Sequence, residues 1–268
     1  MNCPNCKSTH TRRNGYYKEY QRYKCNDCGK QFSERSFSFF YRARFNEKVI
    51  MNAILIACFV SSRNASFLLL EMISVKVSHQ SCYNWSKKFA NLVSKINRRM
   101  NYSNIWHVDE KFIKVKGSKD DFAYLWVVID SLNSIIATYV SSSRDEASAR
   151  LVLKKAYNKA MKPPDVLVSD GLQAYHKACK KVFGRKVKHV VAHFETRCVM
   201  HERKLYYLSN NRIESLNSKI NLWYKKFRGF KSLETAGLFC EMFAYFYNYL
   251  RPRTIEHNLE PIKLTLRM

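Results

Sequence analysis

A chain of 268 residues has room for one catalytic domain with its own core and one or two small accessory modules, and it is too long for a single-function peptide. Its 47 Lys and Arg against 21 Asp and Glu leave a formal net charge of +26 spread along the whole sequence, far beyond what solubility requires, so a polyanionic partner is expected. The longest apolar run, positions 49 to 60, is interrupted by Asn52 and too short to cross a bilayer, and no apolar leader follows Met1. Neither a membrane span nor a signal or transit peptide is therefore expected, and the cytoplasm and nucleoid are the expected location.

Residues 1 to about 35 carry almost no apolar content of the kind a core needs, and such a segment does not fold by burial alone. Within it Cys3-x-x-Cys6 and Cys25-x-x-Cys28 are separated by eighteen residues, positions 7 to 24, which lets two knuckles converge on one tetrahedral ion. A zinc ribbon is expected, with a single structural Zn2+ held by Cys3, Cys6, Cys25 and Cys28. Four thiolates leave no open position for catalysis, and their coordination contributes folding free energy on the order of 10 kcal/mol in such modules. The other five of the nine cysteines, Cys58, Cys82, Cys179, Cys198 and Cys240, are scattered and make a poor disulfide framework. A further set of ligand types, His189, His193, Cys198 and His201, has irregular spacing and reads more simply as packed or solvated side chains.

From about Phe45 to Met100 apolar residues recur at spacings of three and four: Val49, Ile50, Ala53, Ile54, Ala57 and Cys58, then Ala65, Leu68, Leu69 and Met72. After a turn at 73 to 77, Ser78 is placed to cap a helix running to Ile96, with Cys82, Trp85, Phe89, Leu92, Val93 and Ile96 on one face. Two helices joined by a short turn read as helix-turn-helix, a module at 45–100. On the opposite side stand His79, Gln80, Tyr83, Asn84, Lys87 and Lys88. Gln and Asn can pair with adenine edges and Lys with phosphate or guanine, so these six are the expected DNA-binding residues. An amphipathic helix with a merely solvated basic face is the alternative.

Beyond position 101 the pattern turns to β. Strands are expected at 105–114, 122–129 and 135–141, separated by turns around Gly117, Lys119 and Asp120 and around Ser131 and Asn133, in an antiparallel meander. A helix at 146–160, a short buried strand at 165–169, a helix at 172–183 and a strand at 187–191 follow. Strands first, then alternating β and α, give the α/β class, a mixed sheet flanked by helices. A long helix at 211–227 and an aromatic one at 232–250 close the pattern, and the tail past Pro252 is expected to cover the core. The expected catalytic domain spans 101–235, with a C-terminal helix and tail at 236–268.

In so basic a chain, three carboxylates stand out: Asp109 in WHVDEKFIKV, Asp170 in VLVSDGLQAY and Glu214 in SNNRIESLNSKI. They fall on the first strand, at the end of a short buried strand and on a following helix, positions from which they could converge on metal. Strand alternation puts Asp109 and Glu110 on opposite faces, so only one of the pair is expected to enter the site. Asp130, Asp145 and Glu146 sit at strand or helix ends, where capping accounts for them.

WHVDEKFIKVKG, SRDEASARLVLKKA, VSDGLQAY, NNRIESLNSKI and RGFKS, in this order, resemble the insertion-sequence DDE transposases, above all the insertion-sequence-six group and its archaeal relatives, over about Phe45 to Leu250. The resemblance implies a ribonuclease-H-like fold in which Asp109, Asp170 and Glu214 occupy the three positions of the DDE triad and bind Mg2+ or Mn2+. One departure is the forty-three residues between the second and third acids, positions 171 to 213, more than is usual in that group. An insertion around 189 to 203 would account for it; Glu195 and Glu202 are the competing third acids, without the NNRIE context.

Phosphodiester attack needs in-line geometry and neutralisation of charge at phosphorus, which a pair of divalent ions on shared carboxylates supplies. The expectation is thus a transposase that binds double-stranded DNA at the element's terminal inverted repeats and cleaves and transfers strands, as a homodimer or larger assembly. Two rivals remain: a sequence-specific DNA-binding regulator without catalysis, and another ribonuclease-H-like nuclease. Failure to bind metal would favour the first, and cleavage without strand transfer the second.

Overall fold

The computed structural model describes residues 1–17, 19–94, 101–117, 121–192, 197–201, 204–225 and 229–249. The expected helix ends at Ile96, 227 and 250, the turn residues Lys119 and Asp120, and the tail after Pro252 lie outside the described residues. The chain forms two compact units, divided between Met51 and Asn52.

In the first unit β1 (Thr11–Tyr17), β2 (Tyr20–Cys25) and β3 (Gln31–Ser33) form an antiparallel sheet in the order β1-β2-β3. Its apolar content is slight, as the composition demands: Cys3, Cys25 and Phe32 are buried together, with Tyr23 and Phe37 packed against them. The two Cys-x-x-Cys turns are built alike. Lys7 N–H donates to Cys3 O at 3.0 Å and Gly29 N–H to Cys25 O at 3.0 Å, and both Lys7 and Gly29 have positive φ, 63° and 69°.

Three helices follow, α1 (Glu47–Phe59), α2 (Ser62–Ile73) and α3 (His79–Val93). Ser61 caps α2, its Oγ accepting from Asn64 N–H at 3.3 Å, and Ser78 caps α3, accepting from Ser81 N–H at 3.1 Å. A short segment, residues 74–78, joins α2 to α3. The apolar face of α3 buries Cys82, Phe89, Ala90 and Val93.

The sheet of the second unit comprises β4 (Ile105–Lys114), β5 (Phe122–Asp130), β6 (Ile135–Ser141), β7 (Val166–Ser169) and β8 (Lys188–Val191), in the order β6-β5-β4-β7-β8. The β4-β5-β6 meander is antiparallel, while β4, β7 and β8 run parallel. This is the ribonuclease-H-like arrangement, reached because the β4-to-β6 turns are short whereas the parallel steps carry helices, α4 (Glu146–Ala160) before β7 and α5 (Gln173–Phe183) before β8. Alternation divides the central strands between two cores. Trp106, Val108, Trp126 and Leu167 pack with α4 and α5 through Val152, Leu153, Tyr175 and Ala178. Ile113, Leu125 and Val127 face α6 (Asn211–Lys225) and α7 (Leu233–Tyr249) through Ile213, Leu216, Cys240 and Phe243.

Two findings differ from the sequence reading. Between β8 and α6, where only an insertion is anticipated, the chain forms a hairpin of β9 (Arg197–His201) and β10 (Lys204–Leu208). Val199, Tyr206 and Leu208 pack it against Val166, Val168 and Val190, so the described part of the added length between the second and third acids is folded structure. The C-terminal helix, expected as a separate segment, shares the core of the second unit: α7 lies on the sheet and also receives Phe89 of α3 between Tyr245 and Phe246, with ring centroids at 5.3 and 6.3 Å.

A buried amide ties α7 to the edge strand β6. Asn248 Oδ1 accepts from Ile135 N–H at 2.9 Å and its Nδ2 donates to Ile135 O at 2.8 Å. Asn248→Leu leaves both backbone groups dry and unpaired; a loss of about 2 to 4 kcal/mol is expected, measured as a lower urea midpoint with an unchanged slope.

Candidate active site and metal centres

Strand register brings the first two acids together. In the parallel β4–β7 ladder Trp106 pairs with Leu167 and His107 with Val168, so two residues further on Asp109 comes level with Asp170, just past the end of β7. Adjacent strands are about 4.8 Å apart, which is the scale of a shared ion site. After Asp170 the chain must turn at once into α5, and Gly171 makes that turn at φ 106°; a Cβ there would meet Val191 Cγ1 at 3.1 Å. The same conformational freedom is used at Gly229 of the RGFKS motif, where φ is 90° and a Cβ would stand 3.1 Å from Lys114 O.

The alternation expected of β4 holds, but both acids reach the site. Asp109 points towards α6, where Asn217 Nδ2 donates to its Oδ2 at 2.6 Å. Glu110 points towards α5 and the β6–α4 connection: Arg144 Nε donates to its Oε1 at 2.6 Å, and the Tyr175 hydroxyl donates to its Oε2. Even so, carboxylate oxygens of Asp109, Glu110 and Asp170 all lie within 4.8 Å of one another. Glu214, half-buried in the first turn of α6, is outside that close group, although its charge bears on Asp109 and Lys111. Glu195 and Glu202, the competing third acids, lie outside the described residues. Asn217, Arg144 and Tyr175 are missed by sequence reasoning. The one available signal is the helical spacing that sets Asn217 three positions beyond Glu214.

The donor set fits a hard divalent cation. Carboxylate oxygens converge at a partly buried place, and carboxylates select Mg2+ or Mn2+ over zinc. Burial, then the charges of Glu110 and Asp170, push the Asp109 carboxyl up to about 7, against the opposing hydrogen bond from Asn217. The acids at strand and helix ends have structural partners. Asp130 is fully buried and accepts from the N–H groups of Ser103, Leu132 and Ser134, Asp145 caps α4 by accepting from Ser148 N–H at 2.8 Å, and Glu146 pairs with Lys181 at 2.5 Å.

The four ribbon cysteines also converge. Cys3 and Cys28 Sγ are 3.5 Å apart, as are Cys6 and Cys25 Sγ, and all four sulfurs lie within 4.8 Å of one another. Tetrahedral zinc with bonds of about 2.3 Å sets its sulfurs about 3.8 Å apart, so the set fits one ion. Of the second set of ligand types, His189 Nε2 is hydrogen-bonded with Ser169 Oγ at 2.8 Å, Cys198 is exposed on β9, and His193 lies outside the described residues. No metal-binding group forms from His189, Cys198 and His201 among the described residues.

On α3, His79, Gln80, Tyr83, Asn84 and Lys88 are exposed, with Gln80 Nε2 donating to Asn84 Oδ1 at 2.9 Å. Lys87 is half-buried and paired with Glu234 of α7 at 2.8 Å. The first turns of α3 border a cleft of about 490 Å³ whose other wall includes Trp223, Phe230 and Phe239. Among the described residues no helix is long and apolar enough to cross a membrane.

In the metal-free protein the folded state holds a proton on Asp109 between about pH 4 and 7 that the unfolded chain has already released, so stability falls as pH rises through that window and levels off above it. Asp109→Asn should flatten this part of the profile, and Mn2+ affinity by calorimetry should weaken by up to about tenfold per pH unit below 7 in the native protein. Cys25→Ser, or a chelator, should release the zinc and strip hydrogen-exchange protection from β1–β3 while leaving β4, β5 and β7 protected.

Residues 103–252, more than half of the chain, match the DDE domain family DDE_Tnp_IS240. A comparison with curated proteins gave no match. Among solved structures, the HTLV-2 integrase catalytic core domain in complex with magnesium (trimeric form) is 13% identical, with 59% of this chain and 93% of that one covered and a TM-score of 0.38. A simian T-cell lymphotropic virus intasome in complex with PP2A regulatory subunit B56 gamma is 14% identical, with 76% and 71% covered and a TM-score of 0.40. Scores this low carry no residue-level correspondence, whereas the family match spans every acid of the candidate site. The chain belongs to the DDE domain family DDE_Tnp_IS240, the DDE transposases.

Proposed function

We propose that this protein binds the terminal inverted repeats of an insertion sequence and catalyses metal-dependent cleavage and transfer of DNA strands. The observation that carries the reading is the side-by-side placement of Asp109 and Asp170 by the β4–β7 register, within a sequence that matches the DDE domain family. Asp109, Asp170 and Glu214 are the proposed ligands of a pair of Mg2+ or Mn2+ ions. When bound, such ions neutralise charge that builds on the phosphoryl oxygens and favour ionisation of the attacking hydroxyl. Asn217 fixes the Asp109 carboxylate through its 2.6 Å hydrogen bond, so that ligand need not be ordered when metal arrives.

The zinc ribbon and α3 are the proposed end-binding elements, with His79, Gln80, Tyr83, Asn84, Lys87 and Lys88 as contacts. For Lys87 this requires exchange of its Glu234 partner for phosphate. The net charge of +26 supports a double-stranded DNA partner through release of counterions. Two element ends must be held together, so a homodimer is the minimum proposed assembly, acting in the cytoplasm and nucleoid.

The test incubates the purified protein with labelled DNA carrying the element's ends, a plasmid target and Mg2+ or Mn2+, beside Asp170→Ala. Metal-dependent joined products that vanish in the variant, with end binding retained, support the transposase. Specific binding without cleavage would make it a DNA-binding regulator, and cleavage without joining a nuclease.

A further inference from the structure

The interaction left without a role is the ion pair between Arg144 and Glu110. The Glu110 side chain is only 4% exposed, and both of its oxygens are engaged, Oε1 by Arg144 through Nε at 2.6 Å and through Nη2, and Oε2 by the Tyr175 hydroxyl. Its carboxylate therefore lies in the acidic group with both oxygens already accepting hydrogen bonds from outside it. Arg144 is different: its side chain is 39% exposed. A guanidinium has five N–H donors, and Glu110 takes those of the Nε and Nη2 edge, which leaves the Nη1 donors for another acceptor on a side chain close enough to feel the charge of Asp170.

The segment that carries Arg144 is pinned on both sides. Trp126 Nε1 donates to Ser141 Oγ at 2.8 Å, the Ser141 hydroxyl donates to Ser143 O at 2.6 Å, and Asp145 starts α4 as its N-cap. Tyr175 is fully buried against Trp126, with ring centroids 5.7 Å apart. A half-exposed cation is thus fixed at the border of the carboxylate group of Asp109, Glu110 and Asp170. Charge balance of Glu110 alone would not require the cation to reach solvent.

We propose that Arg144 grips a phosphate of the bound DNA next to the scissile position, and that Glu110 and Tyr175 are positioning residues that aim its guanidinium. The inference rests on the transposase reading for its substrate. A planar fork aimed in advance suits a phosphate, because bidentate charge-assisted hydrogen bonds give direction as well as attraction. Glu110, on this account, is not a metal ligand.

The experiment uses the full chain and compares Arg144→Lys, Glu110→Gln, Tyr175→Phe and the double variant Arg144→Gln with Glu110→Gln, which leaves no unpaired buried charge. Three readouts are taken: Mn2+ affinity, the salt dependence of binding to a 30-base-pair duplex, and kcat/KM for cleavage. The double variant should lower the salt slope by about one and kcat/KM by about 100-fold, with Mn2+ affinity within about threefold of the native value. Arg144→Lys should keep the slope and lose about tenfold in kcat/KM, and Tyr175→Phe should act in the same direction without changing the slope. If Glu110→Gln weakens Mn2+ binding as much as Asp109→Asn does, Glu110 is a ligand and the proposal fails. It fails equally if the double variant keeps the native slope. Absence of cleavage in the native protein would overturn the transposase reading instead, and the salt slope would still decide for or against the Arg144 contact.

Discussion

Like charges crowded between the middle of β4 and the end of β7 are the constraint around which the second unit is organised. Asp109, Glu110 and Asp170 bring oxygens within 4.8 Å of one another, and burial denies Asp109 the water that would otherwise screen it. Each acid has its own compensation. Glu110 has a cation and a phenol, Asp109 has the amide of Asn217, and Asp170 uses Oδ1 to accept from Leu172 N–H at 3.1 Å as the chain turns into α5. The Asp109 carboxyl is nevertheless driven up to about 7, so compensation by the protein is incomplete, and an added cation would complete it.

Holding that charge requires stiff surroundings, which the sheet supplies. β4 is the central strand, paired with β5 on one side and β7 on the other, and it carries both Asp109 and Glu110. The two cores on either face fix it further: Trp106 and Val108 are buried towards α4 and α5, while Ile113 is buried towards α6 and α7. Asn217 and Glu214 come from α6, which is anchored to the sheet by Ile213, Leu216 and Ile220 on the same helix. The first unit solves a different problem. With Cys3, Cys25 and Phe32 as its small buried cluster, it has too little apolar surface for burial to hold three strands, and a bound metal would supply what burial does not.

Much of this was legible along the chain. Periodicity marked β4, β6 and α4 with the bounds they adopt, since alternation and helical spacing are local properties. The hairpin of β9 and β10 was not legible, because its exposed face carries Met200, Leu205 and Tyr207 and so lacks the polar alternation that announces a half-buried strand. For Glu110, alternation told the direction of the side chain correctly, but not that a carboxylate aimed at α5 still lies close to Asp170.

The sequence by itself determined the order of strands and helices outside the β9–β10 hairpin, the four cysteines of the ribbon, and the identity of Asp109 and Asp170 as acids on or at the end of strands, because each of these depends mainly on neighbours a few residues away. Tertiary structure alone decided which acids meet and what restrains them. Arg144 reaches Glu110 across 34 positions, Tyr175 reaches it across 65, and Asn217 reaches Asp109 across 108. Such pairs arise from strand register and helix packing, and register is a property of two segments together that neither one encodes alone.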